Sequence, residues 1–204
     1  MFCARTFRTQ SINGKVSIMD RRSLLAGLAF VGAAPVILSQ TRSALAATPA
    51  MPVTSFADLK TSGQFFSTVI GRAEISLATS QIAVEKATQK NAHEFSGFEL
   101  GEAITVNMVL KDIGAAGPAM DAPAEEKIEA LKSAAKGIAF DKAYIALQLD
   151  NHEYLRDLSD AYLHNSAGAT DQAELQGRHL AMLMNAVFKE HVAICKRISG
   201  ELGA

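Results

Sequence analysis

Four polar side chains stand where hydrophobic ones are expected, and their types are those that bind metal ions. Glu74 follows Ile70 by four residues and precedes Leu77 and Ala78 by three and four, and Glu102 shares a stripe with Phe95, Phe98, Val106, Val109 and Ile113. His152 falls in line with Ile145, Leu149 and Leu155, and His191 with Leu180, Met184, Val187, Ile194 and Ile198. On helices this spacing turns each side chain toward the apolar face. A carboxylate or an imidazole buried there is costly without a partner. Three resolutions stand open. A divalent metal such as zinc, iron or manganese takes carboxylate oxygen and imidazole nitrogen as ordinary ligands. A buried Glu–His hydrogen bond needs no ion, and at the end of a helix the polar tip reaches solvent. Glu99, three residues before Glu102, could chelate from the same face or stand solvated.

No Gly-rich phosphate loop, nucleophile elbow, paired-cysteine motif or His-Glu-x-x-His motif occurs. Carboxylate-bridged di-iron bundles take Glu-x-x-His from two helices. Here Leu149 precedes His152 by three and Phe188 precedes His191 by three, so that chemistry is not expected. No cofactor is expected on these grounds, a divalent metal on Glu74, Glu102, His152 and His191 being the alternative.

The elements that carry these residues read as helices throughout. From Ser62 onward apolar residues recur at three- and four-residue spacing, without strand-like alternation. A first long helix runs from about Ser62 to Gln89 and a second from about Ala92 to Ile113, ended by Gly114-Ala115-Ala116-Gly117-Pro118. Asp121-Ala122-Pro123 opens a short helix to about Lys136, with the acid at the N-cap. A third long helix spans about Ala139 to Asn165. A fourth, capped by Thr170, continues to about Ser199, with Glu174 near the reciprocal capping position. The expectation is an all-α, four-helix bundle with a short extra helix in the crossover between its second and third long members.

At about 1.5 Å of rise per residue, Glu74 lies about 24 Å and Glu102 about 18 Å from the first interhelical turn. His152 lies about 23 Å from the last turn but His191 about 35 Å from it. A compact site using both histidines is therefore not expected.

The first 46 residues read as an export signal. Arg21-Arg22, Ser23 and Leu24-Leu25 form a twin-arginine arrangement, an apolar run reaches Leu38, and Ala44-Leu45-Ala46 is a small-residue cleavage pattern. Met19 is a natural start, and cleavage after Ala46 would leave a short tail over 47–61 and a bundle domain over 62–204. The address is the periplasm. From Ala47 the chain has 14 Lys and Arg against 20 Asp and Glu, and an acidic surface without a basic run excludes nucleic acid as a partner. No membrane-spanning segment is expected after cleavage. Only Cys195 survives processing, so no internal disulfide is available.

Gly71-Arg72-Ala73-Glu74 with Leu77, Ala83, Glu85, Lys86 and Ala87, then Phe95, then Phe140-Asp141-Lys142-Ala143-Tyr144 with His152, and finally His191-Val192, together resemble a bacterial envelope family. It is the family called domain of unknown function 4142, placed among ferritin-like bundles. The resemblance runs from about Phe65 to Ile198. It retains Glu74, Asp141, Tyr144, His152 and His191, but Ala103 stands where the family places a histidine and Ala186 where it places a proline. It implies a ferritin-like four-helix bundle in the periplasm. The leading expectation is a non-catalytic module for envelope maintenance or for binding a small ligand or an envelope protein. The alternatives are a metal-binding or metal-dependent oxidoreductase protein, and an oligomeric or peripheral outer-membrane-associated structural protein.

Overall fold

Three of the four long helices begin where a side chain accepts an unpaired amide hydrogen, and the third, Ile138–Asn165, starts at Gly137 without such a cap. Thr61 and Gln64 form a reciprocal capping box that starts α1 (Ser62–Lys86). Gln89 caps α2 (Lys90–Asp112), and Gly114 takes a left-handed conformation (φ 77°) just after its end. The short α3 (Ala122–Ser133) follows, then α4 (Ile138–Asn165) and α5 (Gln172–Leu202). Asp171, not Thr170, caps α5, because its carboxylate accepts from the amides of both Ala173 and Glu174. The structure, a computed structural model, describes residues 55–118, 120 and 122–203. The export signal and the Asp121 cap lie outside the described residues. Among those residues there is no strand, and no helix is long and apolar enough to cross a membrane.

The four long helices pack side by side in two intimate pairs, α1 with α2 and α4 with α5, joined mainly by α1 against α4. The short α3 lies against α1 and α4, and Leu131 is its buried anchor. Between α2 and α5, Gln89 and Asn91 reach Glu201 at one end, and a groove opens further along.

The core is divided. One apolar cluster gathers Phe65, Phe66, Val69, Leu158, Tyr162 and Met184, and a second gathers Phe95, Phe140, Tyr144, Ile145, Cys195 and Ile198. Between them runs a buried polar layer of Ser76, Thr79, Ser80, Glu99, Gln148, Asn151, His152 and His191. Two loop-side carboxylates fix the ends. Asp141 is fully buried and accepts from the Thr88 amide and hydroxyl and the Gln89 amide, which ties the α1–α2 turn to α4. Glu174 accepts from the Ser62 amide and hydroxyl, which docks the start of α5 on the start of α1.

Candidate metal centre

The inward face of α2 is not the one its large apolar residues mark. Its buried residues are Ala92, Phe95, Ser96, Glu99, Ala103, Asn107 and Leu110, one position round from the stripe of Phe98 and Glu102. Small side chains let α2 lie close to α1, where Asn107 donates to the Ala73 carbonyl. That rotation carries Glu99 into the polar layer at 3% exposure and leaves Phe98 63% exposed.

Opposite Glu99, α4 presents His152 and α5 presents His191. Glu99 Oε2 lies 2.8 Å from His191 Nδ1 and 3.4 Å from His152 Nε2, and the two nitrogens are 3.1 Å apart. Bonds of about 2.0–2.2 Å to a metal imply donor-to-donor edges of about 2.9 Å at octahedral angles and about 3.4 Å at tetrahedral ones. The three edges fall on that range. All three residues are buried, and they form a group with the donors to hold a metal ion.

The outer ring nitrogens decide what the inner ones offer. His152 Nδ1 donates to the Gln148 carbonyl at 2.8 Å, an acceptor with no proton to give. His191 Nε2 donates to Glu102 Oε2 at 2.9 Å. In the neutral tautomers, His152 Nε2 and His191 Nδ1 thus turn lone pairs toward each other and toward Glu99 Oε2. That oxygen is buried without a well-directed hydrogen bond. Three lone-pair donors at such distances repel unless a cation or a proton lies among them. Without an ion, the proton goes to His191. Burial alone would lower its pKa, but its contacts with Glu102 and Glu99 prevail and lift it to about 9. Burial would likewise raise Glu99, yet its contacts with His152 and His191 hold the carboxyl well below the usual carboxylate range.

Supporting residues hold the rings. Phe95 lies edge-on to His191 with centroids 5.2 Å apart, and the two imidazoles are themselves edge to face at 4.7 Å. Gln148, whose backbone orients His152, is fixed by its own side chain. Its amide donates to Thr79 Oγ1 and Ser80 Oγ, and its oxygen accepts from Ser76. Tyr144 is fully buried with its hydroxyl on Ser80 at 3.0 Å, rather than wet as an amphipathic tyrosine would be. Cys195 is buried too. Desolvation, with the Glu99 charge, pushes its thiol up to about 12, which leaves it unreactive at neutral pH.

Of the residues singled out from the sequence, His152 and His191 meet at the centre and Glu102 stands behind His191, half-exposed at 46%. Glu74 is half-buried on α1 and lies outside the cluster. The expected separation of the two histidines is corrected by the register of α4 and α5. Levelling the helix ends at the Gly168 turn had set His191 too far along. Instead Arg178 donates to the Leu163 carbonyl and Asn185 to Asp160, so the first turns of α5 overhang the end of α4 to reach α1. The overhang brings His191 level with His152. Glu99, read from the sequence as either a chelator beside Glu102 or a solvated carboxylate, is buried and is the carboxylate of the cluster. The signal that finds it is its four-residue spacing from Phe95 and Ala103.

Above the cluster, the α2–α5 groove widens into a cavity of about 530 Å³. Its floor is Glu99, His152 and His191, and its walls include Phe98, Val106, Leu155, Leu183, Val187 and Phe188. Comparison of the chain with models of known families, with curated proteins and with solved structures returns no match.

Proposed function

We propose that this chain is a periplasmic, ferritin-like four-helix bundle that holds one divalent transition-metal ion on Glu99, His152 and His191. The observation that carries the reading is the triangle of buried donors with their lone pairs turned inward. Two imidazoles and one carboxylate on one side of an ion, with a cavity on the other, form the donor set of non-haem iron(II) sites and also suit zinc. The twin-arginine pattern fits this reading, since that route carries proteins already folded around an ion. The family resemblance supports the bundle class and the envelope address.

A bound ion would supply Lewis acidity or redox chemistry at the cavity floor. The chain's own part is to orient both rings through Gln148 and Glu102 and to keep bulk water from Glu99. The test is metal analysis of full-length protein purified without a tag, beside Glu99→Gln, His152→Ala and Glu74→Gln variants. One ion per chain is expected in the parent and in Glu74→Gln, and none in the other two if they remain helical. A metal-free parent, or equal loading in all four proteins, overturns the reading.

A further inference from the structure

Two glycines on α2 have no structural reason to be glycines. Gly97 and Gly101 sit inside the helix, where glycine weakens it relative to alanine. Neither has the positive φ found at Gly114, Gly137 and Gly203. Neither is crowded, for a Cβ at either position would meet nothing within 4 Å. Gly117 and Gly177 differ, being packed so closely by Ile70 and Ser62 that a side chain would collide. What Gly97 and Gly101 share is a place on the wall of the α2–α5 cavity. A larger side chain at either position would narrow the same cavity whose floor carries the orphaned Glu99 oxygen.

The lining limits what could enter. It has no lysine or arginine, so a multiply charged phosphate would find no cationic side chain beyond the histidines at the floor. The Ser76 hydroxyl already donates to Gln148 and accepts from Asn151, and the Thr105 hydroxyl donates to the Gly101 carbonyl. Sugars and nucleotides would leave most of their polar atoms unpaired against such walls. The remaining charged groups of the lining are the metal centre and the half-exposed Glu102. A divalent ion with the single charge of Glu99 leaves one positive charge in a buried place, while Glu102 stands on the far side of His191 where water screens it.

We infer that the groove binds a monocarboxylate with an apolar tail, its carboxylate on the open side of the ion and its tail between Phe98 and Val106 of α2 and Leu183 and Val187 of α5. This rests on the metal reading above. At the roughly 30 Å³ share of a liquid water, 530 Å³ corresponds to about 18 water-sized volumes, enough for a carboxylate of about ten carbons.

The probe is decanoate, titrated calorimetrically into zinc-loaded and metal-free full-length protein, with decanol as the neutral control. Zinc-loaded protein should bind decanoate at least about tenfold more tightly than metal-free protein does, and more tightly than it binds decanol. Gly101→Leu and Gly97→Leu fill the mouth without touching a ligand atom. Each should keep one zinc per chain and an unchanged or raised melting temperature while weakening decanoate by about tenfold or more. Zinc bound with no decanoate uptake, or uptake indifferent to both leucine variants, overturns this inference and leaves the metal reading standing. A parent that dimerises through the groove, with the dimer lost in Gly101→Leu, assigns the groove to a second copy and also overturns it. Failure to bind zinc at all removes the metal reading, and this one with it.

Discussion

His152 Nε2 and His191 Nδ1 face each other across 3.1 Å, each ring having turned its other nitrogen to an acceptor. The acceptors differ in kind. The Gln148 carbonyl belongs to the α4 backbone and cannot leave, whereas Glu102 is a half-exposed side chain. The two rings are thus unequally held, and His191 is the adjustable one.

Replacing Glu102 by glutamine should therefore weaken the ion rather than abolish it. Loss of such an outer partner typically costs about 10–100-fold in metal affinity. Competition with a coloured chelator measures it, and an unchanged affinity would show that Glu102 has no hold on the ring.

The metal-free protein should be pH-sensitive in a particular window. The folded pKa of His191, about 9, lies above its ordinary 6.5, so the imidazolium contributes fully below pH 6.5 and that contribution is lost as the pH rises through 9. Glu99 has the opposite sign, since its lowered pKa contributes above the ordinary 4.5 and fails only as the pH falls well below it. Urea unfolding of the metal-free protein should show stability declining between pH 6.5 and 9. Zinc-loaded protein should lack the decline, because the ion replaces the proton, and loading near pH 7.5 should release about one proton per ion. A flat profile without metal would mean His191 is neutral there.

Gln148 holds three hydroxyls of α1 and stands one turn before His152. Gln148→Ala would leave the Thr79, Ser80 and Ser76 hydroxyls short of partners in the core, at a cost of roughly 2–4 kcal/mol. It should also weaken zinc, because α4 loses its fixed rotation. Denaturant melts and chelator competition on one variant separate the two effects, and lowered stability with full zinc affinity would confine Gln148 to the core.

Gly97→Ala and Gly101→Ala should each stabilise the metal-free protein, by about 0.8–1 kcal/mol, since neither glycine serves the backbone. A destabilising alanine at either position would reveal a packing need that the structure lacks.

The all-helical character was legible because its carriers are local. Three- and four-residue spacing, the Gly114 stop and the Pro123 start all belong to short windows of sequence, and the helix bounds moved by only a few residues. The site was half legible. His152 and His191 stood out on their stripes, and Glu102 with them. Glu99 was left between chelator and solvated carboxylate, because α2 turns its small residues inward to approach α1, and a stripe drawn through Phe95, Phe98 and Val106 follows the groove instead. The meeting of the histidines depends on the overhang of α5. That overhang is set by Glu174 reaching Ser62, residues 112 positions apart, and no local pattern encodes it.

The buried polar layer between the two apolar clusters acts as a notch. Sliding α4 or α5 by one turn along its neighbours would set the Glu99 carboxylate against hydrocarbon and strand the hydroxyls of Ser76, Thr79 and Ser80. An uninterrupted apolar core would tolerate several such settings, whereas a single polar position can select one. The same groups that would grip an ion therefore also count the turns, and the axial alignment of the helices is chosen before any ion arrives.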